Sequence, residues 1–176
     1  MSYFLPIAVL SALALASACT VQPLYSNHPV AASAISDSTS AQLNSVAVKP
    51  VTTRYAQEIR NHLIFYFGGG KGEPENPAYE LELGVTKLNE VSTFVQIADE
   101  DQPTARTLTL ISSYRLTKAG AEVARGRRQV SSQYDVPTQE FANLRAEIDA
   151  ENRAARELAE LLRLAVAQDL KRTGPR

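Results

Sequence analysis

The sequence is poor in the residues from which metal and redox sites are usually built. Of 176 residues only two are histidine and one is cysteine, and tryptophan is absent. A single cysteine cannot form an internal disulfide, and His28 and His62 are isolated from each other and from any ligand cluster at zinc spacing. We therefore predict that the protein holds no metal and no cofactor.

The sequence also lacks an excess of charge of either sign. The net charge is −1 and the isoelectric point is about 6.1, so the field of the whole molecule gives no reason to expect nucleic acid as a partner. Any anion-binding surface must be local.

No arrangement of catalytic residues stands out. Glu80 and Glu82 lie two apart in an alternating stretch, which is also the pattern of solvated positions on a strand. Residues 68–70 are all glycine, but they follow a predicted helix instead of opening one, so they lack the helix N-terminus of a phosphate-binding loop. We predict that the protein is not an enzyme.

The most informative residue that is present is Cys19. It follows a charge-free apolar stretch over residues 3–18 that ends in Ala16-Ser17-Ala18, as in a lipoprotein signal. The stretch is shorter than the roughly 20 apolar residues of a membrane-spanning helix. Ala16 replaces the usual leucine, and Ala16-Ser17-Ala18 also fits ordinary signal peptidase. Ordinary cleavage would leave an unpaired thiol on an exported protein, so we expect cleavage before Cys19 and acylation of its side chain and amine.

Composition then divides the chain into three parts: a signal peptide (1–18), a lipidated N-terminus with a flexible linker (19–44), and a folded domain (45–172). Residues 26–44 are rich in Ser, Ala and Asn, a composition that buries too little apolar area to become ordered. Nineteen such residues reach about 25 Å. The domain is thus expected to sit off a bilayer surface.

Periodicity within the domain predicts an α+β fold. Strands are expected at 45–49, 79–97 with a bend near Leu88, 104–117 and 122–134, and helices at 53–67 and 139–171. The first helix has a stripe of Tyr55, Ile59, His62/Leu63 and Tyr66. The second has a stripe of Phe141, Leu144, Ile148, Ala155, Leu158, Leu162, Ala165/Val166 and Leu170. We expect both helices to pack on one face of a mostly antiparallel four-stranded sheet, in the order β-α-β-β-β-α.

Basic residues cluster in the long predicted hairpin, among serines and threonines. They are Arg106, Arg115, Lys118, Arg125, Arg127 and Arg128. One interpretation is an ordinary wet face whose charges discourage edge pairing. The other is a cationic, hydroxyl-rich surface that contacts phosphorylated glycolipid or the polar lumen of a membrane barrel. For the second we nominate Arg115, Arg125, Arg127 and Arg128.

Several of these segments together resemble one family. Cys19-Thr20-Val21-Gln22-Pro23-Leu24-Tyr25 resembles the Cys-x-x-x-Pro-Leu-Tyr opening of LptE/RlpB-type lipopolysaccharide-assembly lipoproteins. Residues 54–63 resemble the family's first helix, Tyr79-Glu80-Leu81 its following strand, and residues 156–159 part of its closing helix.

The resemblance implies a non-enzymatic role. Members of this family are anchored by acyl chains in the inner leaflet of the outer membrane. They fill the lumen of an LptD-type β-barrel, and the pair inserts lipopolysaccharide into the outer leaflet. Two alternatives stay open: a periplasmic accessory lipoprotein that binds a small hydrophobic ligand for a transporter, and a cell-envelope hydrolase, against which the missing nucleophile-base pair argues.

Overall fold

The computed structural model describes residues 37–97 and 100–173. The chain divides into two units, 1–34 and 35–176, and all the described residues belong to the second. Cys19, His28 and the predicted signal segment lie outside the described residues. The elements run α1 (Asp37–Leu43), β1 (Val46–Val48), α2 (Arg54–Gly68), β2 (Tyr79–Ile97), β3 (Glu100–Lys118), β4 (Ala121–Asp135) and α3 (Glu140–Thr173). From β1 onward this is the predicted order.

The four strands form one mixed sheet in the order β1-β2-β3-β4. β2 pairs antiparallel with β3, and β3 with β4. β1 runs parallel to β2 over three residues, from Val46 opposite Tyr79 to Val48 opposite Leu81, because α2 carries the chain back between them as a crossover. The predicted α+β class is confirmed, and the antiparallel description holds for two of the three strand pairs.

Strand alternation gives the sheet a helix-covered face and an open face. Leu108, Leu110, Tyr114 and Leu116 of β3 are buried, which confirms the predicted inward side of this strand. Their cross-strand neighbours on β2 and β4, such as Leu83 opposite Tyr114 and Val130 opposite Leu110, point the same way. The core is therefore a single layer between this face and the helices.

α2 turns a slightly different side inward from the one its sequence predicts. Ile59 and Leu63 are buried as expected, but Ala56 and Phe67 complete the buried row. Tyr66 lies at the edge of this row, where its hydroxyl donates to Glu160 at 3.2 Å. The helix ends as predicted in the glycines, because Gly69 adopts a left-handed conformation with φ 59°.

α3 buries mostly small side chains. Burial begins at Ala150 and continues through alanines interleaved with Leu158, Leu162 and Leu170. Phe141 and Leu144, predicted on the buried stripe, are 74% and 53% exposed, so that part of the prediction is wrong. The stripe is continuous in sequence, but Phe141 and Leu144 lie on the exposed side of the first turns, while Ala146 packs against the core.

The domain begins earlier than composition predicts. Asp37–Leu43 forms the short helix α1 instead of the end of a flexible linker, and its last residue, Leu43, is 4% exposed. The Ser45 hydroxyl donates to the Gln42 carbonyl at 2.7 Å and closes the turn into β1. Thr39 is also 4% exposed, so the segment is attached to the core through Thr39 and Leu43.

The sequence predicts a bend in β2 and a turn between β3 and β4, and the structure has only the turn where it is predicted. β2 passes Leu88 without a break, and its pairing with β3 shifts between Val91 and Phe94 instead. The predicted turn after Lys118 is confirmed: Ala119 and Gly120 have φ of 49° and 81°, the two positive values that a two-residue hairpin turn matching the sheet twist requires.

Candidate functional site

The open face of the sheet is mainly polar, with Leu88 and Ile111 as apolar members near its middle. Hydroxyl side chains line up across the strands there: Thr109 and Ser131 are 2.8 Å apart, and Ser113 donates to the Gly84 carbonyl at 3.3 Å. None of the packed helices lies on this side, because the buried row of each strand faces the other way. The face can therefore form many hydrogen bonds to a ligand or partner.

The structure separates the four nominated arginines. Arg115 and Arg125 are direct cross-strand partners on the open face, and Arg127 lies beside them opposite Ser113. Arg128 is opposite Ser112, which is fully buried, so Arg128 belongs to the helix-covered face at the edge strand. The nominated set is thus one group of three and one residue apart.

Ion pairs already occupy two of the three open-face arginines. Arg115 donates to Glu82 at 2.6 Å and Arg125 lies 3.7 Å from Glu122. The hydrogen bond from Arg115, followed by its charge, lowers the pKa of Glu82 below its ordinary value. Within the described part of the chain, Arg127 has no acidic partner. Arg127 is the open-face cation with its full hydrogen-bonding capacity available.

A shallow hollow of about 700 Å³ lies next to these arginines. Gly84 and Ser113 form part of its floor, and Arg115, Arg125 and Arg127 surround it. A side chain at residue 84 would fill the floor, because an added Cβ would come within 2.8 Å of the Ser113 hydroxyl. Forked guanidinium donors beside hydroxyls suit a phosphate or sugar group.

Glu80 and Glu82 do not form an acid-base pair. Glu80 lies 3.3 Å from Lys49 and Glu82 is bound to Arg115, so each carboxylate has its own cation. His62 lies 3.5 Å from Glu58 and stacks on Tyr66. Residues 37–97 and 100–173 contain no cluster of His, Cys, Asp or Glu that could hold a metal ion. None of their helices is long and apolar enough to cross a membrane.

Sequence reasoning missed a buried carboxylate at the end of α3. Asp169 is 4% exposed; the Tyr114 hydroxyl donates to one of its oxygens at 2.7 Å, and Arg172 pairs with the other. Burial, then the hydrogen bond and charge of Asp169, raise the pKa of Tyr114 to about 12. The signal was present in the sequence, since Asp169 stands at a stripe position between Val166 and Leu170.

A second missed group joins three elements. Glu151 of α3 is 6% exposed and pairs with Lys87 of β2 at 2.6 Å and with Arg54 of α2. Burial alone would raise the pKa of Glu151, but the hydrogen bonds and charges of the two cations together hold it below its ordinary value. The group holds the helices against the sheet and has no open cleft for chemistry.

Comparison with known proteins points to the family that the sequence resembles. The model of a lipopolysaccharide-assembly family, LptE, matches residues 43–166. The crystal structure of a predicted lipoprotein from Caulobacter crescentus CB15 is 28% identical and covers 76% of this chain and 96% of its own, with a TM-score of 0.62. Rare lipoprotein B from Shewanella oneidensis is 10% identical and covers 72% and 95%, with a TM-score of 0.51; this likeness shows the fold. No curated protein matches the chain significantly.

Proposed function

This chain belongs to the LptE lipopolysaccharide-assembly family, and from that premise we propose that it is an outer-membrane lipoprotein that fills and supports an LptD-type β-barrel. In this role it assists the assembly of lipopolysaccharide at the outer-membrane surface. Its partners are the barrel, lipopolysaccharide and, through acyl chains on Cys19, the membrane itself.

The observation that carries the proposal is the polar open face on a domain with a closed core. A barrel lumen is lined by polar side chains, so a protein that fills it needs polar groups wherever it faces the wall. Thr109, Ser113 and Ser131 supply hydroxyls on this side of the sheet, where Leu88 and Ile111 are the apolar exceptions. The other side is occupied by helices whose outer surfaces carry charged residues such as Arg156 and Glu160.

Lipopolysaccharide is proposed to contact the open-face arginines. Arg115, Arg125 and Arg127 border the hollow over Gly84, and Arg127 has the greatest spare donor capacity. Phosphate groups on the glycolipid would accept its forked N–H donors, and the adjacent hydroxyls would bind sugar. Arg128 cannot join this contact from the opposite face.

The anchor is proposed at Cys19. Thr20 follows it instead of an acidic residue, which is compatible with onward sorting to the outer membrane. Acylation at this position adds binding through two or more chains, which is stable where a single chain is marginal.

Co-purification tests the central claim. Tagged full chain, extracted from membranes in neutral detergent, is expected to retain an outer-membrane β-barrel in equal molar amount. A photo-activated cross-linker at Ser131 on the open face is expected to capture that barrel, whereas one at the fully buried Ala159 serves as the matched control and captures nothing. Absence of a stoichiometric barrel in the purified material would refute the proposal.

The two other functional classes, a carrier of small hydrophobic ligands and a hydrolase, lack a supporting observation. A carrier of small hydrophobic ligands needs an apolar cavity between helices and sheet, but buried side chains such as Leu63, Leu110 and Leu162 fill that layer. A hydrolase needs a nucleophile beside a base, whereas Glu80 and Glu82 on the open face are each paired with a cation. Hydrolase activity abolished by one carboxylate substitution would nevertheless reverse this conclusion.

A further inference from the structure

A second basic site lies at the edge of β4, next to the C-terminal end of α3, and it shares Tyr114, Arg125 and Gly126 with the lining of the hollow on the open face. It is a groove of about 990 Å³ between the C-terminal end of α3 and β4. Four cations line it, Arg125, Arg128, Lys171 and Arg172, and the single acid is Asp169.

Ion pairs leave two of these four cations available, because Arg125 lies 3.7 Å from Glu122 and Arg172 pairs with Asp169. Asp169 is already bound by Tyr114 and Arg172, and the Arg128 guanidinium uses one N–H on the backbone carbonyl of Arg127 at 2.7 Å. Lys171 has no ion-pair partner in the part of the chain that the structure describes. The groove therefore offers several charge-assisted donors to an anion.

The groove lies at the end of the domain where the N-terminal chain enters. Ser45, which follows α1, accepts hydrogen bonds from Ala78 and Tyr79, and Lys118 at the end of β3 lies over the Tyr79 ring at 5.2 Å. Tyr114 lies four residues before Lys118 on β3, and its hydroxyl donates a hydrogen bond to Asp169 of α3. We name this the entry end.

Four acidic residues at the entry end, Glu80, Glu82, Glu122 and Asp169, are already paired with cations. Arg128 and Lys171 therefore supply the free positive charge of the groove, and an anionic membrane surface attracts such basic side chains.

We propose that the groove binds the phosphate of an anionic phospholipid headgroup in the membrane that carries the anchor. The contact would fix the orientation of the domain at the bilayer, in addition to the tether. The proposal rests on the proposed lipid anchor but not on the barrel partner.

The test uses the full chain purified in neutral detergent, with native mass spectrometry to count retained lipid as phosphatidylglycerol is added. One phosphatidylglycerol per chain is expected. Arg128→Gln with Lys171→Gln should raise the half-saturating lipid concentration about thirtyfold, which corresponds to about 1 kcal/mol for each basic side chain near an anionic surface. Lys171→Gln alone, at an exposed helix position, should give about a fivefold change and guards against misfolding of the double variant.

The matched control is Arg145→Gln with Arg156→Gln, which removes the same charge from exposed positions of α3 outside the groove. It should leave the half-saturation unchanged. Equal binding by the groove variant, or equal retention of zwitterionic phosphatidylcholine, would overturn the proposal. Displacement of the lipid by an equal concentration of inorganic phosphate would overturn the assignment to a headgroup.

The same spectra separate this proposal from the proposed function. The mass of the lipid-free chain reports directly whether Cys19 carries acyl chains. Loss of the barrel from co-purification with retention of phosphatidylglycerol would refute the barrel role alone. Retention of the barrel without groove-dependent lipid would refute the headgroup site alone.

Discussion

Gly126→Ala is the substitution that tests most directly how the entry end of the domain is held together. Gly126 is opposite Tyr114 on the helix-covered face. An added Cβ would come within 2.7 Å of both the ring edge and the hydroxyl of Tyr114. The ring is 4% exposed and its hydroxyl is bound to Asp169, so it cannot simply swing into solvent.

The expected cost follows from three contributions. Forcing a methyl group against a packed ring costs about 1–3 kcal/mol. Displacing the hydroxyl weakens a hydrogen bond to a buried carboxylate, at about 1.5–3 kcal/mol. Replacing glycine by alanine within a strand returns about 0.5–1 kcal/mol. The free energy of unfolding should therefore fall by about 1.5–5.5 kcal/mol.

Urea unfolding followed by far-ultraviolet circular dichroism measures this, since the chain has no tryptophan. Gly68 serves as the control. An alanine there meets nothing within 4 Å, so it should change stability by less than about 1 kcal/mol.

A double-mutant cycle with Tyr114→Leu isolates the contact. With the ring removed, Gly126→Ala should become nearly neutral. If Gly126→Ala costs as much without the tyrosine as with it, or if it is neutral in the wild-type chain, the assignment of this glycine to ring packing is wrong.

Three further outcomes are expected. Lys87→Met should lower the free energy of unfolding by about 2–3 kcal/mol at pH 7, because it leaves buried Glu151 with one cation. The pKa of Glu151 is depressed in the folded protein, so the stabilisation that Glu151 contributes is present above about pH 4.5 and disappears as pH falls through the folded pKa. Urea titrations should show the free energies of unfolding of wild type and Lys87→Met converging in that acidic range. A difference that stays constant with pH would contradict this. Cys19→Ala should move the protein from the membrane fraction to the soluble periplasmic fraction with an unchanged circular dichroism spectrum, and mass spectrometry of wild type showing an unmodified N-terminal Cys19 would contradict acylation. Arg127→Glu should weaken binding of purified lipopolysaccharide in a salt-dependent way, whereas Arg156→Glu, with the same change in charge on α3, should not. Equal effects of the two substitutions would show that Arg127 has no specific role in binding.

Strand patterns were predictable here because the period of a strand is short and strict. Leu108, Leu110 and Leu116 are each fully buried, as alternation requires once one face is covered. The turn at Ala119 and Gly120 was predictable for the same reason, since its backbone demands are local. The position of the bulge near Val91 was not, because it depends on the pairing of β2 with β3 and not on β2 alone.

Helix faces were predicted less well at their ends. A stripe shows which side of α3 is apolar but not how far its partners extend, so Phe141 was placed in the core although it is 74% exposed. In α1, composition favoured a linker, but the segment buries Thr39 and Leu43. In both places, tertiary contact decided the outcome and local sequence did not.

Prediction from local sequence is limited in the same way for single residues of the candidate site. Arg127 and Arg128 are adjacent in sequence and both basic, and they were nominated together for one ligand. Because successive strand residues point to opposite faces, they lie beside different surfaces: Arg127 opposite Ser113 on the open face, Arg128 opposite buried Ser112 near the end of α3. A charge cluster read along the chain therefore corresponds to two binding surfaces, and single charge reversals at these two residues should affect different ligands.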